Sequence, residues 1–304
     1  MRTASLLPSA TEVVGAMGAE SALVARSHRC NVPQNISSLP VVTRSRIPDS
    51  RDADIVDIDS LVDSHQHGSG SPFEVITSVL AATDPELILT QSLCEVCAVP
   101  ESMTREVLDQ LDTSPELLAV RPATIDEMFD SIEQIGNAMG YDGKAASLIN
   151  TLSRRITTIE SCIPEETVPP RVVCLEWIDP LRYHGLWIPD ILEHLQTSDP
   201  FGSPGNPGDR VEWDSILDYD PELLVVSPCG CTVAEIESQM SRLADKPGWE
   251  TLSAVQQNQV YILDGELSSR HGPRIVRCLE LLASLIYPNH VPSQSPSATE
   301  LKQY

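Results

Sequence analysis

A short segment of this 304-residue sequence occurs twice, 136 residues apart. The first copy is residues 79–90, VLAATDPELILT, and the second is residues 216–226, ILDYDPELLVV. In each copy an Asp-Pro pair follows a helix-like stretch and precedes a run of aliphatic residues, a pattern typical of a turn and then a buried strand. The repeat therefore predicts two similar lobes, each with a helix, a turn and a strand in that order.

Each lobe also begins with a short apolar strand that leads into a helix, at residues 3–7 and again at residues 171–175. Ser9 and Glu12 form a capping-box pattern, which predicts that the first helix begins there. Strands that alternate with helices predict parallel sheets covered by helices on both faces. The expected fold class is therefore α/β.

Helical periodicity in the segment between the two lobes predicts the domain boundaries. Residues 142–162 carry apolar side chains at helical spacing, and a helix of about 20 residues is about 30 Å long, which makes a stiff connection. We expect an N-terminal lobe at 1–122, a linker with this long helix at 123–165, a C-terminal lobe at 166–290 and a disordered tail at 291–304.

The chain has 20 Lys and Arg against 44 Asp and Glu, a formal net charge of −24. Phosphate contacts need clustered cations, so this balance argues against binding to nucleic acid. Surplus acid with few lysines is typical of a halophilic protein. No apolar run reaches the roughly 18 residues of a membrane span, and the residues after Met1 lack a signal-peptide pattern. We therefore expect a cytoplasmic protein with reduced thiols, and an extracytoplasmic one only if the true start of the gene lies upstream of Met1.

Five of the eight cysteines follow predicted strands, where parallel α/β sheets bind ligands. Cys94 and Cys97 form a Cys-x-x-Cys pair, and His28 and Cys30 follow another strand. One interpretation is a Cys₃His set for zinc or another thiophilic metal. Cys229, in a Cys-Gly-Cys turn, is a secondary candidate ligand. A redox pair and purely structural thiols are the alternatives.

The tryptophans are concentrated in the second lobe. Glu176 and Trp177 follow a predicted strand, and Trp187 and Trp213 lie in loops or at strand ends. Indole faces suit a large flat or apolar ligand, and the same side chains can instead close the core of a lobe. The sequence contains neither a GxxxxGK[ST] nor a GxSxG motif and shows no evident general base. We therefore expect a binding protein and not an enzyme.

A series of motifs extends along the chain to about Pro288. They are RTASLLPSATE at 2–12, SHRCNVP at 27–33, QSLCEVCAV at 91–99, LEWIDP at 175–180, GLWIP at 185–189, SPCG at 227–230 and GPRI at 272–275. Together they resemble the vitamin B12 and iron-siderophore substrate-binding proteins of ABC transporters. Within that group they are most similar to the leaderless cobalamin-binding-like branch.

The resemblance implies two Rossmann-like lobes with parallel sheets, joined by one rigid helix as in class III periplasmic binding proteins, with the ligand between them. It implies a non-catalytic protein that binds cobalamin, another corrinoid or another metal-containing ligand, with Trp213 as a ligand contact. It also implies a partner, an ABC permease that docks on an acidic residue of each lobe. The matching positions are Ser78 and Asp214, so one of the two docking charges is absent.

The set of His28, Cys30, Cys94 and Cys97 belongs to the leaderless branch of this resemblance. It leaves a second function open. In that alternative the protein is a cytoplasmic metallochaperone or enzyme whose thiolates bind a metal ion and pass it on.

Overall fold

The computed structural model describes residues 1–46, 72–92, 99, 101–292 and 295–304. The described chain divides into two compact units. The first comprises Met1–Pro122 with Asp126–Thr151, and the second comprises Ala123–Ile125 with Leu152–Tyr304.

A parallel sheet with the strand order β2-β1-β5-β6 forms the centre of the first unit. Its strands are β1 (Thr3–Ser5), β2 (Leu23–Arg26), β5 (Leu87–Gln91) and β6 (Glu116–Val120). A separate antiparallel pair consists of β3 (Thr43–Ser45) and β4 (Phe73–Val75). The central strands β1 and β5 are buried along their whole length, as expected for aliphatic strands covered on both faces.

Helices of the first unit are α1 (Pro8–Ala16), α2 (Thr77–Thr83), α3 (Glu101–Leu108), α4 (Ile125–Met139) and the first part of α5 (Asp142–Glu160). α1 begins with Pro8, and no side chain caps its amino end. Proline suits the first position of a helix because the N–H that it lacks would have no partner there. Ser9 and Glu12 are buried inside the helix, so the predicted capping box is wrong.

The sheet of the second unit has the order β11-β10-β9-β7-β8. Its strands are β7 (Val172–Ile178), β8 (Leu181–Tyr183), β9 (Leu223–Val226), β10 (Val260–Leu263) and β11 (Leu301–Gln303). β7, β9 and β10 are parallel, while β8 and β11 pair antiparallel at the two edges. The expected α/β class with parallel sheets is confirmed, with one antiparallel strand added at each edge of this sheet.

Helices of the second unit follow the rest of α5. They are α6 (Trp187–His194), α7 (Trp213–Tyr219), α8 (Val233–Gln239), α9 (Ser241–Ala244), α10 (Ser253–Gln256), α11 (Gly265–Ser269) and α12 (Ile275–Ile286). A complete capping box begins α8, where the Thr232 hydroxyl and the Glu235 carboxylate satisfy each other's backbone N–H groups. None of the helices in the described ranges combines the length and the hydropathy that a membrane crossing requires.

Part of the tail at 291–304, which was expected to be disordered, is a strand: Leu301–Gln303 form β11. β11 pairs with β10, and the carboxylate of Glu300 accepts two hydrogen bonds from Arg277 on α12, at 3.0 and 3.1 Å. Arg277 also lies 3.7 Å from Glu280, which receives a bidentate contact from Arg155 of α5. These tail residues pair with a strand edge and with a charged side chain that only the folded unit provides.

Candidate functional site

The carboxyl ends of β7, β9 and β10 lie at one edge of the second sheet, because these strands are parallel neighbours. Loops gather at such an edge, which makes it the usual ligand site of α/β sheets. Trp177 lies near the end of β7, Cys229 follows β9, and Gly265 follows β10. This carboxyl edge is the candidate site of the second unit.

Glu176 is the extra residue of a β-bulge at this edge. Leu175 pairs with Tyr183 and Trp177 pairs with Arg182, so two steps along β7 match one step along β8. A bulge bends its strand and re-aims the side chains beside it. The carbonyl of Glu176 accepts a hydrogen bond from the Cys229 amide at 3.3 Å, which joins the ends of β7 and β9.

A tight turn presents Cys229 at the end of β9. The Cys231 amide donates to the Pro228 carbonyl at 3.1 Å, and Gly230 has φ of 73° in the left-handed region that favours glycine. Cys229 is half-buried and Cys231 is buried. Gly265 approaches the turn so closely that a β-carbon there would lie 1.9 Å from the Pro228 carbonyl oxygen. The main chain of two loops therefore fixes the position of the Cys229 thiol.

Trp177 is 9% exposed. Its indole Nε1 is buried and has no hydrogen-bond partner within the described part of the chain. Buried N–H groups are nearly always paired with protein or water, so an unpaired indole at a strand end calls for an acceptor. Glu176, Trp177 and Cys229, which the sequence analysis singled out separately, are thus brought together at one edge.

Trp187 has a different environment. It begins α6, and its Nε1 donates to the Ser268 carbonyl at 2.6 Å. The ring meets the imidazole of His271 edge to face, with 5.6 Å between the centroids, and the side chain is 6% exposed. Trp187 therefore holds α6 against α11 and the residues that follow α11.

Behind the edge lies a polar group that the sequence analysis did not place. His184 Nε2 lies 3.2 Å from the Ser227 carbonyl, and the hydroxyl of Ser227 donates to that of Ser268. Burial lowers the pKa of His184 and of His271 to about 4, because an imidazolium ion is poorly solvated there. Both rings are neutral at neutral pH, and His184 donates its Nε2–H to a carbonyl. Neither periodicity nor a motif in the sequence marks these residues.

Trp213 belongs to a second aromatic group, which it forms with Trp249 and Tyr304. Its indole is half-exposed and stacks on Trp249 with 6.3 Å between the ring centroids, and its Nε1 donates to the Pro247 carbonyl at 2.8 Å. Tyr304 meets Trp249 edge to face. The structure therefore places Trp213 at the amino end of α7, in contact with the loop that precedes α10.

Cys30, at the carboxyl edge of the first sheet, is 2% exposed. Its Sγ lies 3.0 Å from Thr11 Oγ1 and 3.2 Å from Ser27 Oγ, and the thiol donates to the Ser5 carbonyl at 3.9 Å. The hydroxyl groups come from α1 and from the end of β2. A metal ion would have to replace these contacts before it could bind the Cys30 thiolate.

His28 lies two residues before Cys30 and contacts another partner. Its backbone N–H and its Nδ1 both lie within hydrogen-bonding distance of Thr43 Oγ1, at 3.0 and 2.7 Å. The ring packs on Phe73 with 5.7 Å between the centroids. Together these side chains line a recess of about 10 Å³, the space of roughly one water molecule.

The predicted Cys₃His metal set remains a prediction. Cys94 and Cys97 lie outside the described residues. Among the residues that the structure describes, no group of three or more His, Cys, Asp and Glu side chains is placed to hold a metal ion.

Comparison with known proteins identifies the family. Residues 4–267 match the family described as periplasmic binding protein. A curated relative, the uncharacterized ABC transporter substrate-binding lipoprotein YvrC of Bacillus subtilis (strain 168), is 25% identical over 202 residues. The match covers 62% of this chain and 59% of YvrC, so the chain spans about three fifths of the length of this relative.

Solved structures share the fold. A possible iron-binding protein from Staphylococcus epidermidis ATCC 12228 has a TM-score of 0.71 at 21% identity and covers 94% of this chain and 98% of its own. The heme-binding protein RhuT from Roseiflexus sp. RS-1 has a TM-score of 0.70 at 17% identity, with the same coverage. The vitamin B12 binding protein BtuF of Vibrio cholerae has a TM-score of 0.66 at 18% identity and covers 94% of this chain and 96% of its own.

These findings correct the location expected from the sequence. The prediction of a cytoplasmic protein is wrong, because the matching family is that of periplasmic binding proteins and YvrC is a substrate-binding lipoprotein. The resemblance to the substrate-binding proteins of ABC transporters is confirmed. Since the match runs from the first strand of the first unit to the helix after β10 in the second, this chain belongs to the periplasmic binding protein family.

Proposed function

We propose that the protein is the non-catalytic substrate-binding subunit of an ABC importer and that it binds a metal-containing chelate, with corrinoids among the candidates. The observation that carries the proposal is the family match over residues 4–267. Structures of the same fold bind vitamin B12 and heme, which supports a chelate as the cargo. The alternative of a cytoplasmic metallochaperone receives no support from the comparisons.

The proposed contact surface in the second unit is the carboxyl edge with Glu176, Trp177 and Cys229. A flat indole suits a planar macrocycle, and its Nε1–H suits an acceptor atom on the ligand or on a water molecule. The Cys229 thiol is a soft donor that suits a thiophilic metal. Trp213, half-exposed on α7, is the second proposed aromatic contact, and Trp187 supports the edge from behind.

The internal repeat supports the proposed contact with a permease. Ser78 and Asp214 are the second residues of α2 and α7, the helices that precede the two Asp-Pro turns, and both are exposed. They are therefore equivalent positions of the two units. We propose that Asp214 provides a docking charge and that Ser78 leaves the equivalent contact of the first unit uncharged.

The test is a titration of the purified protein with cyanocobalamin, hemin and ferrioxamine B, followed by tryptophan fluorescence. All four tryptophans belong to the second unit, so quenching reports binding near its edge. The titration is run at low and at high salt, because a net charge of −24 supports a halophilic protein. Saturable binding of one of these chelates is expected.

Variants locate the site. Trp177→Ala is expected to weaken binding about tenfold or more, and Trp177→Phe, which keeps a ring and removes the N–H, is expected to weaken it less. Tyr141→Phe is the control, since this ring lies in the first unit beside Lys144 and the change leaves all four tryptophans in place. Equal affinities of the Trp177 and Tyr141 variants would remove the carboxyl edge from the proposal. Failure of every chelate to bind would overturn the proposed cargo.

A further inference from the structure

The loop of residues 198–209 packs against β8 and the start of α6 through its main chain. The Leu186 amide donates to the Asn206 carbonyl at 2.5 Å, and the Tyr183 amide donates to the Asp209 carbonyl at 3.1 Å. The first of these bonds is made by Leu186, which follows β8, and the second by the last residue of β8. The loop is thus attached to the segment that pairs with the Glu176 bulge.

Glycines permit a backbone contact here that no other residue would allow. A β-carbon on Gly185 would lie 2.0 Å from the Gly208 nitrogen. A β-carbon on Gly208 would lie 2.2 Å from the Tyr183 carbonyl oxygen and 2.7 Å from Glu176 Oε2. The carboxylate of Glu176 therefore lies directly over the main chain of Gly208, and its position depends on where the loop lies.

The same loop maintains a strained residue. Leu186 has φ of 56° and ψ of −118°, a conformation that residues with a β-carbon rarely adopt. Its N–H and its carbonyl both bond to the loop, the latter accepting from the Gly205 amide at 3.1 Å. Since Leu186 immediately precedes Trp187, the loop also determines where α6 begins.

A single buried carboxylate anchors the loop to β7. Asp199 is 4% exposed, and its Oδ2 accepts a hydrogen bond from the Cys174 amide at 2.8 Å. Its Oδ1 accepts from the Phe201 amide at 2.9 Å, and the Gly202 amide also donates to this carboxylate. Cys174 lies two residues before Glu176 on the same strand. Asp199 thus joins β7 to the first residues of the loop.

We propose that Asp199 is a positioning residue for the carboxyl edge. By anchoring the 198–209 loop to β7, its carboxylate keeps Leu186 in its strained conformation and Gly208 beneath Glu176. It thereby determines where Glu176 and Trp177 lie. The consequence for cargo binding rests on the proposed function, whereas the anchoring itself does not.

Because Asp199 is titratable, the anchoring of the loop should depend on pH. Burial raises the pKa of Asp199 to about 6, so a mildly acidic solution protonates it in the folded protein. Opening of the loop would expose Asp199 to water and return its pKa toward 3.8, so protonation favours the closed loop and acidification should tighten it. The titratable groups that face Asp199 are the thiol of Cys174 and the hydroxyl of Tyr219, whose pKa values are both raised, so they stay neutral in this range. Nearby His184, with a pKa of about 4, stays neutral as well.

The test is peptide-resolved hydrogen exchange of the ligand-free protein, corrected for the intrinsic effect of pH. Going from about pH 7 to about pH 5 is expected to raise protection at 183–186, at 199–209 and at 174–177 about tenfold relative to that of α12, which follows the stability of the second unit as a whole. Asp199→Asn, whose side chain does not ionise, is expected to lose this pH dependence, and Asp199→Ala, which removes both acceptor oxygens, is expected to reduce protection at all three segments. Asp218→Asn, an exposed carboxylate on α7, is the control and should behave as the wild type.

Several results would overturn the proposal. One is protection of 174–177 that stays constant relative to α12 while protection of the loop changes with pH, because Asp199 would then anchor only the loop. Another is an unchanged pH profile in Asp199→Asn. Should Asp199→Asn fail to fold, the wild-type pH series decides alone, and constant protection between the two pH values refutes the proposal. Cyanocobalamin titration of the same samples is a separate readout, so absent binding with the expected exchange pattern contradicts the proposed function and not the anchor.

Discussion

The same three residues close the amino edge of the sheet in both units: an arginine that precedes one strand, and the Asp and Glu of the Asp-Pro-Glu turn that precedes the next. In the first unit Arg2 Nε donates to the Asp84 carbonyl at 2.9 Å, and the Arg2 amide donates to Glu86 Oε2 at 2.6 Å. The Glu86 amide returns a bond to the Arg2 carbonyl at 2.8 Å. We refer to Arg2, Asp84 and Glu86 as the first clasp.

The second clasp consists of Arg171, Asp220 and Glu222. Arg171 Nε donates to the Asp220 carbonyl at 2.8 Å, and the Arg171 amide donates to Glu222 Oε2 at 3.0 Å. The Glu222 amide donates to the Arg171 carbonyl at 2.8 Å. Asp220 has the left-handed backbone conformation, with φ of 51°, that Asp84 has in the first clasp with φ of 45°. The repeated sequence therefore builds the same hydrogen-bonded turn twice.

Among the residues that the structure describes, the carboxyl edges of the two sheets carry different side chains. In the first unit a buried thiol lies among hydroxyl groups, and in the second a bulged glutamate, an indole and a half-buried thiol lie in front of two neutral histidines. The amino edge only has to hold strands together, so the same solution serves both units. The carboxyl edge is where ligands meet α/β sheets, and there the side chains differ.

The largest expected effect is at the carboxyl edge of the second unit. Gly265→Ala would place a β-carbon 1.9 Å from the Pro228 carbonyl oxygen, so the turn with Cys229 must shift. We expect a loss of about 3 kcal/mol in the free energy of unfolding. Gly143→Ala, in α5, is the control. A β-carbon on this residue would meet no atom from another part of the chain within 4 Å, so the change should cost no stability. Urea unfolding followed by circular dichroism, which detects both units, measures the difference, and equal midpoints would contradict the close packing of this edge.

The next effect is a pH dependence of the stability of the second unit. The unfolded chain protonates His184 and His271 near their ordinary pKa of 6.5, whereas the folded unit accepts those protons only near 4. Stability therefore falls as the pH drops from about 6.5 to about 4. Asp199, with its pKa raised from 3.8 to about 6, acts in the opposite direction, because the folded unit binds its proton first. Two histidines outweigh one aspartate, and we expect a net loss of about 2 kcal/mol between about pH 7 and about pH 5.

Tryptophan fluorescence checks this pH dependence, because all four tryptophans belong to the second unit. His184→Gln should remove about half of the histidine contribution, and His290→Gln, at an exposed position, should leave it unchanged. Stability that stays constant or rises on acidification would show that the buried imidazoles do not control the second unit.

A smaller difference separates the two clasps. The carboxylate of Asp220 accepts hydrogen bonds from the amide and the hydroxyl of Ser253, at 2.8 and 2.7 Å, which tie the turn to α10. Asp84 takes part in the first clasp through its carbonyl, and its side chain is exposed. Asp220→Ala is therefore expected to cost about 1 kcal/mol more than Asp84→Ala. Peptide-resolved hydrogen exchange on β5 and β9 measures each unit separately, and equal costs would mean that the Ser253 contacts add no stability.

The smallest effect concerns the equivalent positions Ser78 and Asp214. An acidic residue in the first turn of a helix stabilises it through the helix dipole. Ser78→Asp is expected to stabilise the first unit by about 0.3 kcal/mol, and Asp214→Ser to destabilise the second by a similar amount. Both shifts are read from the same exchange experiment. Shifts of the same sign would show that the two helix starts are not equivalent.

Much of the fold follows from local sequence patterns. The aliphatic runs of β5 and β9 and the repeated Asp-Pro turns predict parallel strands after short helices, and the structure has them. Local patterns misled at Ser9 and Glu12, where Pro8 starts the helix instead, and at the end of the chain, where β11 pairs with β10. Strand-end reasoning named Glu176, Trp177 and Cys229 as candidates, but the bulge that brings them together depends on pairing with β8.

By itself the sequence determined which segments become strands and helices and that the chain has two related halves. Burial along a strand or a helix repeats at a fixed period, and a turn needs only its own residues, so both can be read locally. The tertiary structure decided the bulge at Glu176, the anchoring by Asp199, the neutral state of His184 and the partner of β11. Each of these depends on groups far apart in the chain, and burial and hydrogen bonds exist only once those groups have been brought together.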